Sequence, residues 1–180
     1  MSAPGFALFD TALGACGLAW GERGLAGVML PEIDGGRLRE RLTRRHPGAA
    51  EAPPPAPIAR AIEAITALLA GEPRDLKEIA LELDRVGAFE QRVYGVAREI
   101  PPGLTLTYGE VAARVGEPGA AQAVGRAMGR NPWPIVVPCH RVVGAGGRAG
   151  GFSAPGGART KLRMLQIEGG MTRGLPLFDR

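Results

Sequence analysis

The sequence predicts an α+β protein of two domains, a small N-terminal α/β domain and a helical C-terminal domain with a helix-turn-helix. Short apolar segments separated by glycine-rich turns fill the first third of the 180-residue chain, which is typical of antiparallel strands. The composition changes near Val86 and Gly87, beyond which a longer helix precedes two short helices joined by a tight turn. We therefore place the domains at residues 1–84 and 85–180.

The elements of the first domain follow from local patterns. The segments FALFDTA, ACGLAW and GLAGVML predict a three-stranded meander. Residues 34–45 predict a basic helix with Leu38 and Leu42 on its inner face. The Pro/Ala-rich stretch HPGAAEAPPPAP predicts an extended, mobile loop. A second helix is expected over residues 57–69, and the alternation in IALEL predicts a strand over residues 79–83.

The second domain is predicted to be mainly helical. Its first and second helices are separated by a Pro-Pro-Gly stop, and its second and third by a Gly-Glu-Pro-Gly turn. Thr107 is the expected N-cap of the second helix, with Glu110 completing a capping box. The four helices are expected over residues 89–100, 108–115, 120–130 and 158–167.

Composition narrows the class of protein. The net charge of +4 at pH 7 rests almost entirely on arginine and suits a nucleic-acid partner without establishing one. No apolar run approaches the roughly 20 residues that span a bilayer, and the N-terminus has no signal-peptide pattern. Two cysteines give no disulfide framework, so we expect a cytoplasmic protein with no membrane partner. With only four Cys and His residues, we expect no zinc site.

Cys139 and His140 stand side by side in the run IVVPCHRVVG, between an apolar strand-like segment and a glycine-rich stretch. A free thiol, with a pKa of about 8.5, is only slightly ionised at neutral pH. An imidazole that takes up the thiol proton activates the sulfur as a nucleophile. We therefore expect Cys139 to be ionised and accessible, although an isolated Cys-His dipeptide is more often a buried core pair.

The predicted helix 120–130 has an unusual composition. Small residues fill most of its positions, while Gln122, Arg126 and Arg130 recur every four residues on one face. Small residues allow a close approach to a ligand, and a basic stripe suits phosphate or an opened base stack. A tightly packed helix with a solvated polar face is the alternative interpretation.

Together these segments resemble the O6-alkylguanine-DNA alkyltransferases, also called methylated-DNA–protein-cysteine methyltransferases. The motifs are TYGEVA at 107–112, AAQAVGRAMGRNPWPIVVPCHRVVG at 120–144 and IEG at 167–169. The resemblance is specific over residues 87–169 and looser over the N-terminal meander. It implies a ribonuclease-H-like α/β domain followed by a winged-helix DNA-binding and alkyltransferase domain.

The resemblance also implies an activity, DNA repair by direct reversal. The alkyl group of O6-alkylguanine, or of O4-alkylthymine, would be transferred irreversibly to Cys139, so that each molecule acts once. A helix-turn-helix in the minor groove of double-stranded DNA would flip the damaged base out of the stack. No cofactor or metal is implied, and we expect a monomer.

The catalytic roles come from the same resemblance. Cys139 would accept the alkyl group, His140 would draw off the thiol proton through a water, and Glu168 would stabilise the imidazolium. Asn131 would tie the recognition helix to the active-site segment. Tyr108 would donate a hydrogen bond to the guanine ring as the alkyl group departs.

Further residues would hold the guanine. The carbonyls around Cys139 and Val142 would accept from its amino edge, and Ser153 would lie near O6. Phe152 stands where the family more often has tyrosine. The loop that contains Phe152 and Ser153 runs about two residues longer than the usual pattern.

The proposed DNA-binding helix departs from the family at one important position. Ala121 and Gly125 match the small surface that approaches the minor groove. Gln122 stands where the family usually has the arginine that fills the vacated base stack. Because glutamine is neutral and shorter, we expect Arg126, one turn along, to compensate.

Three other functions stay open from the sequence. An alkyltransferase-like protein would bind alkylated DNA without efficient transfer, but such proteins typically carry tryptophan at the position of Cys139. A helix-turn-helix transcription regulator would read bases in the major groove, whereas the small-residue helix 120–130 suits the minor groove better. A thiol hydrolase would need an oxyanion hole, for which no signature is visible.

Overall fold

The structure, a computed structural model, describes residues 3–32, 34–147 and 157–169. The chain forms two compact units. The first unit comprises Met1–Arg85 and Pro132–Val136, and the second comprises Val86–Asn131 and Val137–Arg180. Both helices and strands occur, as the predicted α+β class requires.

The first unit contains a four-stranded sheet. Strands β1 (Gly5–Thr11), β2 (Gly14–Trp20) and β3 (Leu25–Met29) form the predicted antiparallel meander. A fourth strand, β4 (Ala50–Glu51), pairs in parallel with β1, so that the sheet order is β3-β2-β1-β4. The stretch predicted as an extended loop therefore includes a strand, because its backbone reaches the open edge of β1.

Two helices complete the first unit. Helix α1 (Gly35–Arg45) begins at Asp34, whose side chain accepts from the backbone N–H of Arg37 at 2.8 Å. Its inward residues Leu38 and Leu42 lie in an apolar cluster with residues of the sheet, as the helical spacing predicts. Helix α2 spans Ala56–Leu69.

One strand prediction is wrong, and one strand-like run forms a turn. Over residues 79–83, only Leu81 forms a bridge, with Leu25, and a 3-10 turn at Leu83–Arg85 follows. The run IVVP forms a turn in which Ile135 has a φ of 78°, a conformation unusual for a β-branched residue. Apolar composition alone does not separate a buried turn from a buried strand.

The segment Pro132–Val136 belongs to the first unit through its own contacts. The indole Nε1 of Trp133 donates to the Leu25 carbonyl at 2.8 Å, and the side chain is fully buried. The backbone N–H of Val28 donates to the Pro132 carbonyl at 2.9 Å. These contacts attach the segment to β3.

The second unit is mainly helical, and its four helices begin and end within two residues of the prediction. They are α3 (Ala88–Arg98), α4 (Tyr108–Arg114), α5 (Ala121–Gly129) and α6 (Gly157–Ile167). Two short parallel strands, which the sequence did not predict, are β5 (Leu106–Thr107) and β6 (Val142–Val143). In the described part of the chain, no helix is long and apolar enough to cross a membrane.

The predicted capping box is present at the start of α4. Thr107 Oγ1 accepts from the Glu110 backbone N–H at 3.0 Å, and the Glu110 carboxylate accepts from the Thr107 N–H at 2.8 Å. These two bonds satisfy donors that a helix N-terminus leaves unpaired.

Replacing the capping hydroxyl tests this local arrangement. We expect Thr107→Ala to lower the free energy of unfolding by about 1 kcal/mol, because the Glu110 N–H loses its acceptor. Equilibrium unfolding in urea measures the change. Thr107→Ser, which keeps the hydroxyl, should stay close to the wild type; equal losses in both variants would contradict the capping role.

Candidate active site

Cys139 opens a 3-10 turn, Cys139–Arg141, that leads directly into β6. The turn is held by its backbone, because the Cys139 N–H donates to the Val137 carbonyl at 2.7 Å and the Arg141 N–H to the Pro138 carbonyl at 2.9 Å. The Cys139 residue is only 4% exposed. The turn therefore directs the Cys-His pair inward.

The sulfur of Cys139 is a thiol in the resting protein. Burial raises its pKa, and the opposing effects of a hydrogen bond from Asn131 and the charge of Lys161 do not overcome that rise. The expectation of an ionised, accessible sulfur is therefore wrong for this state. The physical reason is that a thiolate removed from water loses more solvation than its polar neighbours return.

His140 is paired with the distal carboxylate named from the sequence. Its Nε2 lies 2.7 Å from Glu168 Oε1, and both side chains are almost completely buried. Arg141 reaches the same carboxylate with two N–H groups, at 3.0 Å and 2.8 Å, and its third contact is the Ile100 carbonyl at 2.7 Å. Glu168 directly follows α6, so the fold joins two segments that are distant in sequence.

The surroundings of His140 determine its protonation state and its tautomer. Burial alone would raise the pKa of Glu168, but His140 and Arg141 lower it to about 2, so Glu168 is an ionised acceptor. Burial lowers the pKa of His140 despite the nearby carboxylate, so the imidazole is neutral. Because Glu168 accepts only, Nε2 carries the ring proton and Nδ1 is the basic nitrogen. Nδ1 is buried and has no hydrogen-bond partner among the residues described.

Asn131 makes the connection expected of it. It follows α5 within two residues, and its side-chain Nδ2 donates to the Val137 carbonyl at 2.8 Å. Its side chain also hydrogen-bonds the Cys139 thiol, an effect that lowers the thiol pKa. One side chain thus links the end of α5 to the segment that carries the nucleophile.

Tyr108 and Val142 both contact Lys161. The Tyr108 ring faces the ammonium of Lys161, which is 5.7 Å from the ring centroid. The same ammonium donates to the Val142 carbonyl at 2.6 Å. Burial and the neighbouring Cys139 raise the pKa of the Tyr108 hydroxyl, so it remains a proton-bearing donor.

Helix α5 presents the predicted polar face. Gln122 and Arg126 are exposed one turn apart, while Ala121 and Gly125 are partly buried beside them. A side chain built at Gly125 would meet no atom within 4 Å, so the surface there is open. The arrangement matches the small, open surface with polar residues that the sequence predicts.

Phe152 and Ser153 lie outside the described residues. Cys16 is fully buried, and burial raises the pKa of its thiol to about 11 despite a hydrogen bond with Thr11. Cys16 is therefore a core residue and a poor nucleophile. Within the described ranges, no group of three His, Cys, Asp or Glu residues could hold a metal ion.

Sequence reasoning missed two residues of the cluster. Arg141 belongs to the quoted motif, but no role was assigned to it. Lys161 is 1% exposed and lies on the inward face of α6 with Met164 and Leu165, which are also buried. The available signal was a lysine at helical spacing with these apolar residues and with Glu168.

Comparisons with known proteins identify the family of the chain. A family described as "6-O-methylguanine DNA methyltransferase, DNA binding domain" matches residues 88–170. The methylated-DNA–protein-cysteine methyltransferase of Mycobacterium leprae is 48% identical over 124 residues, which cover 68% of this chain and 72% of that protein. The protein of that name from Methanothermobacter thermautotrophicus is 35% identical over 153 residues, covering 85% and 78%.

Solved structures extend the similarity to the N-terminal part of the chain. Mycobacterium tuberculosis OGT in complex with DNA has a TM-score of 0.72 and 33% identity, covering 96% of this chain and 95% of that chain. The O6-methylguanine-DNA methyltransferase of Pyrococcus kodakaraensis has a TM-score of 0.72 and 28% identity, covering 91% and 99%. The resemblance inferred from the motifs is confirmed, and the chain belongs to the methylated-DNA–protein-cysteine methyltransferase family.

Proposed function

We propose that this protein repairs DNA by transferring the alkyl group of O6-alkylguanine, or of O4-alkylthymine, to Cys139. The observation that carries the proposal is the buried pairing of Glu168 with His140, which lies in the same 3-10 turn as Cys139. The Cys139 sulfur attacks the alkyl carbon, a sulfur–carbon bond forms, and the carbon–oxygen bond breaks with its electron pair leaving on the base. The thioether that results has no good leaving group, so each molecule acts once.

Proton transfer to His140 makes this attack possible from a resting thiol. The basic Nδ1 of the imidazole takes the thiol proton, through a water as the family's scheme has it. Glu168, already ionised, then faces an imidazolium and stabilises it by charge. The thiolate therefore forms mainly during the reaction.

Tyr108 assists the departing base. Its hydroxyl keeps its proton because its pKa is raised, so it can donate to the guanine ring as negative charge builds there. The Cys139 and Val142 carbonyls accept from the amino edge of the guanine. These contacts favour guanine over bases that lack an amino group at that edge. Ser153 and Phe152, which lie outside the described residues, are assigned to base binding by the resemblance alone.

The DNA is double-stranded and carries the damaged base inside its stack, so the base must be flipped out. Helix α5 enters the minor groove with Ala121 and Gly125 against the sugar-phosphate walls, while Gln122 and Arg126 face the opened stack and phosphates. The ribonuclease-H-like domain is assigned to residues 1–84 and the winged-helix domain to residues 85–180, apart from Arg85 and Pro132–Val136, which belong to the first unit. The protein acts in the cytoplasm, as a monomer and without a cofactor.

The mass of the protein tests the transfer directly. After incubation with an O6-methylguanine duplex, we expect intact mass spectrometry to show a gain of one methylene on the wild type. Peptide mapping should place it on Cys139, and Cys139→Ala should gain nothing. Binding of the duplex without any gain would favour a recognition-only, alkyltransferase-like function instead.

The carboxylate partner of His140 can be tested by an isosteric change. We expect Glu168→Gln to slow single-turnover methyl transfer at pH 7 by about 100-fold, because a neutral amide does not stabilise the imidazolium. Quenched-flow sampling of the methylated protein gives the rate. Glu72→Gln alters an exposed carboxylate of the first unit and serves as the control. A Glu168→Gln rate equal to that of the control would refute the role.

The exposed arginine of α5 is the third test. We expect Arg126→Ala to weaken duplex binding and to reduce the slope of log Kd against log salt concentration by about one. Fluorescence anisotropy at several salt concentrations measures both. Adding Gln122→Arg to this variant should restore binding, since the cation returns one turn earlier. Unchanged binding and repair in Arg126→Ala would remove Arg126 from the interface.

A further inference from the structure

Helix α5, which the proposed function places in the minor groove, is weakly specified by its own sequence. Its N-cap residue is Ala120, whose methyl group cannot accept a hydrogen bond from the first turn. The helix contains Gly125 and Gly129, which lower its intrinsic propensity. The turn before it has two glycines at positive φ, Gly116 at 83° and Gly119 at 93°. The start and direction of α5 therefore depend on contacts from outside α4, α5 and their turn.

Arg92 of α3 supplies such a contact. Its Nη1 donates to the Val115 carbonyl at 3.0 Å, at the C-terminal end of α4. Its Nη2 donates to the Glu117 carboxylate at 2.7 Å, within the turn. The guanidinium also lies 5.7 Å from the centre of the Phe89 ring, one helical turn earlier on α3. One planar group therefore joins α3 to both the end of α4 and the turn before α5.

The geometry of these contacts suits an arginine in particular. Carbonyls at the C-terminal end of a helix lack partners within the helix, and a cation there also interacts favourably with the helix dipole. A guanidinium can donate to a carbonyl and a carboxylate at once, and stacking on an aromatic ring restricts its orientation. Because Glu117 lies between Gly116 and Gly119, the ion pair acts where the backbone has the most conformational freedom.

Helix α3 also contacts the opposite end of α5. The hydroxyl of Tyr94, whose side chain is fully buried, donates to the Ala127 carbonyl at 2.7 Å. Arg92 and Tyr94 are two residues apart on α3, so one helix contacts both the turn before α5 and the last turn of α5. Loss of the Arg92 contacts would therefore release the N-terminal end of α5 while its C-terminal end stays attached.

We propose that Arg92 is a positioning residue for DNA binding, which holds the turn before α5 so that the helix is already oriented for the minor groove. This inference rests on the proposed function. Without the Arg92 contacts, α5 adopts other orientations as well, and the affinity for the duplex falls with the fraction of molecules in the competent one. The reaction at Cys139 is not altered, because Arg92 acts only on the placement of the helix.

Two single variants of opposite charge give the first test. Arg92→Gln removes a cation, whereas Glu117→Ala removes an anion that repels DNA phosphates. We expect Arg92→Gln to weaken binding of an O6-methylguanine duplex about fivefold, the effect of a partly exposed ion pair on pre-organisation. Glu117→Ala should weaken binding in the same direction. Fluorescence anisotropy measures Kd, in a Cys139→Ala background so that the duplex is not consumed.

The sign of the Glu117→Ala effect is decisive. Charge alone predicts tighter binding when an anion is removed, so tighter or unchanged binding would overturn the inference. The double variant should bind no more weakly than Arg92→Gln, because both residues act through one interaction. Losses that add would mean independent effects and would also overturn it.

The dependence of binding on salt distinguishes positioning from a direct phosphate contact. In Arg92→Gln the slope of log Kd against log salt concentration should equal that of the wild type, whereas a lost phosphate contact would reduce it by about one. Arg60→Gln changes an exposed arginine of α2 and serves as the charge control, with no expected change in Kd or slope. A reduced slope in Arg92→Gln alone would assign Arg92 to the phosphates and refute the positioning role.

Transfer kinetics separate DNA binding from chemistry. With the free base O6-methylguanine, the rate of methyl gain should be equal in wild type and Arg92→Gln, because no DNA is bound. With the duplex, Arg92→Gln should need a higher concentration for half-maximal rate and reach the same rate at saturation. A slower reaction with the free base would indicate a general structural defect and contradict the inference. If Arg92→Gln does not fold, Glu117→Ala provides the same comparisons.

The wild type tests the proposed function separately. Wild type that binds the duplex but gains no methylene contradicts alkyl transfer and leaves the binding comparison valid. Wild type that gains the methylene, with variants that bind the duplex equally well, contradicts only the role of Arg92.

Discussion

The candidate active site depends on the carboxylate of Glu168, which interacts with His140 and Arg141 at once. Through His140 it fixes which imidazole nitrogen is basic, and through Arg141 it connects the end of α6 to the turn that carries Cys139. Arg141 continues this connection to the end of α3, at the Ile100 carbonyl. Removing the carboxylate would leave a buried guanidinium unpaired, which is costly. In the proposed reaction, one side chain therefore sets both the chemistry and the local geometry.

Because the sulfur is buried as a thiol, its proton must be removed before the sulfur can react. Because the pKa of the Cys139 thiol is raised and the thiolate is the reactive form, the sulfur is protected from non-specific oxidation and alkylation. The same burial means that the thiolate has to be generated by a base inside the protein. His140 is neutral for the same physical reason, because burial lowers its pKa. A neutral pair at rest therefore becomes an ion pair only as the sulfur reacts.

Much of the fold followed from local patterns, whereas the charged cluster did not. Helical periodicity located α1 and α3 closely, and Thr107 with Glu110 marked the start of α4. Strand β4 and the bridge at Leu81 depend on partners distant in sequence, which no local pattern encodes. The role of Glu168 came from family resemblance, and its pairing needed the fold. Lys161 and Arg141 were missed because charged side chains are usually expected at the surface.

The signs of the buried charges explain how this interior can accommodate an ion pair. Glu168 lies 2.7 Å from the imidazole, and the charge of Lys161 lowers the pKa of the Cys139 thiol, so each charge formed in the proposed proton transfer meets a buried charge of opposite sign. Moving the thiol proton to His140 leaves the total charge of the cluster unchanged, which limits the solvation penalty to the separation of two charges. After transfer the sulfur is a neutral thioether, and the attraction of Lys161 for a thiolate is lost. The arrangement therefore favours the attack and offers the alkylated protein no comparable interaction that would drive the reverse step.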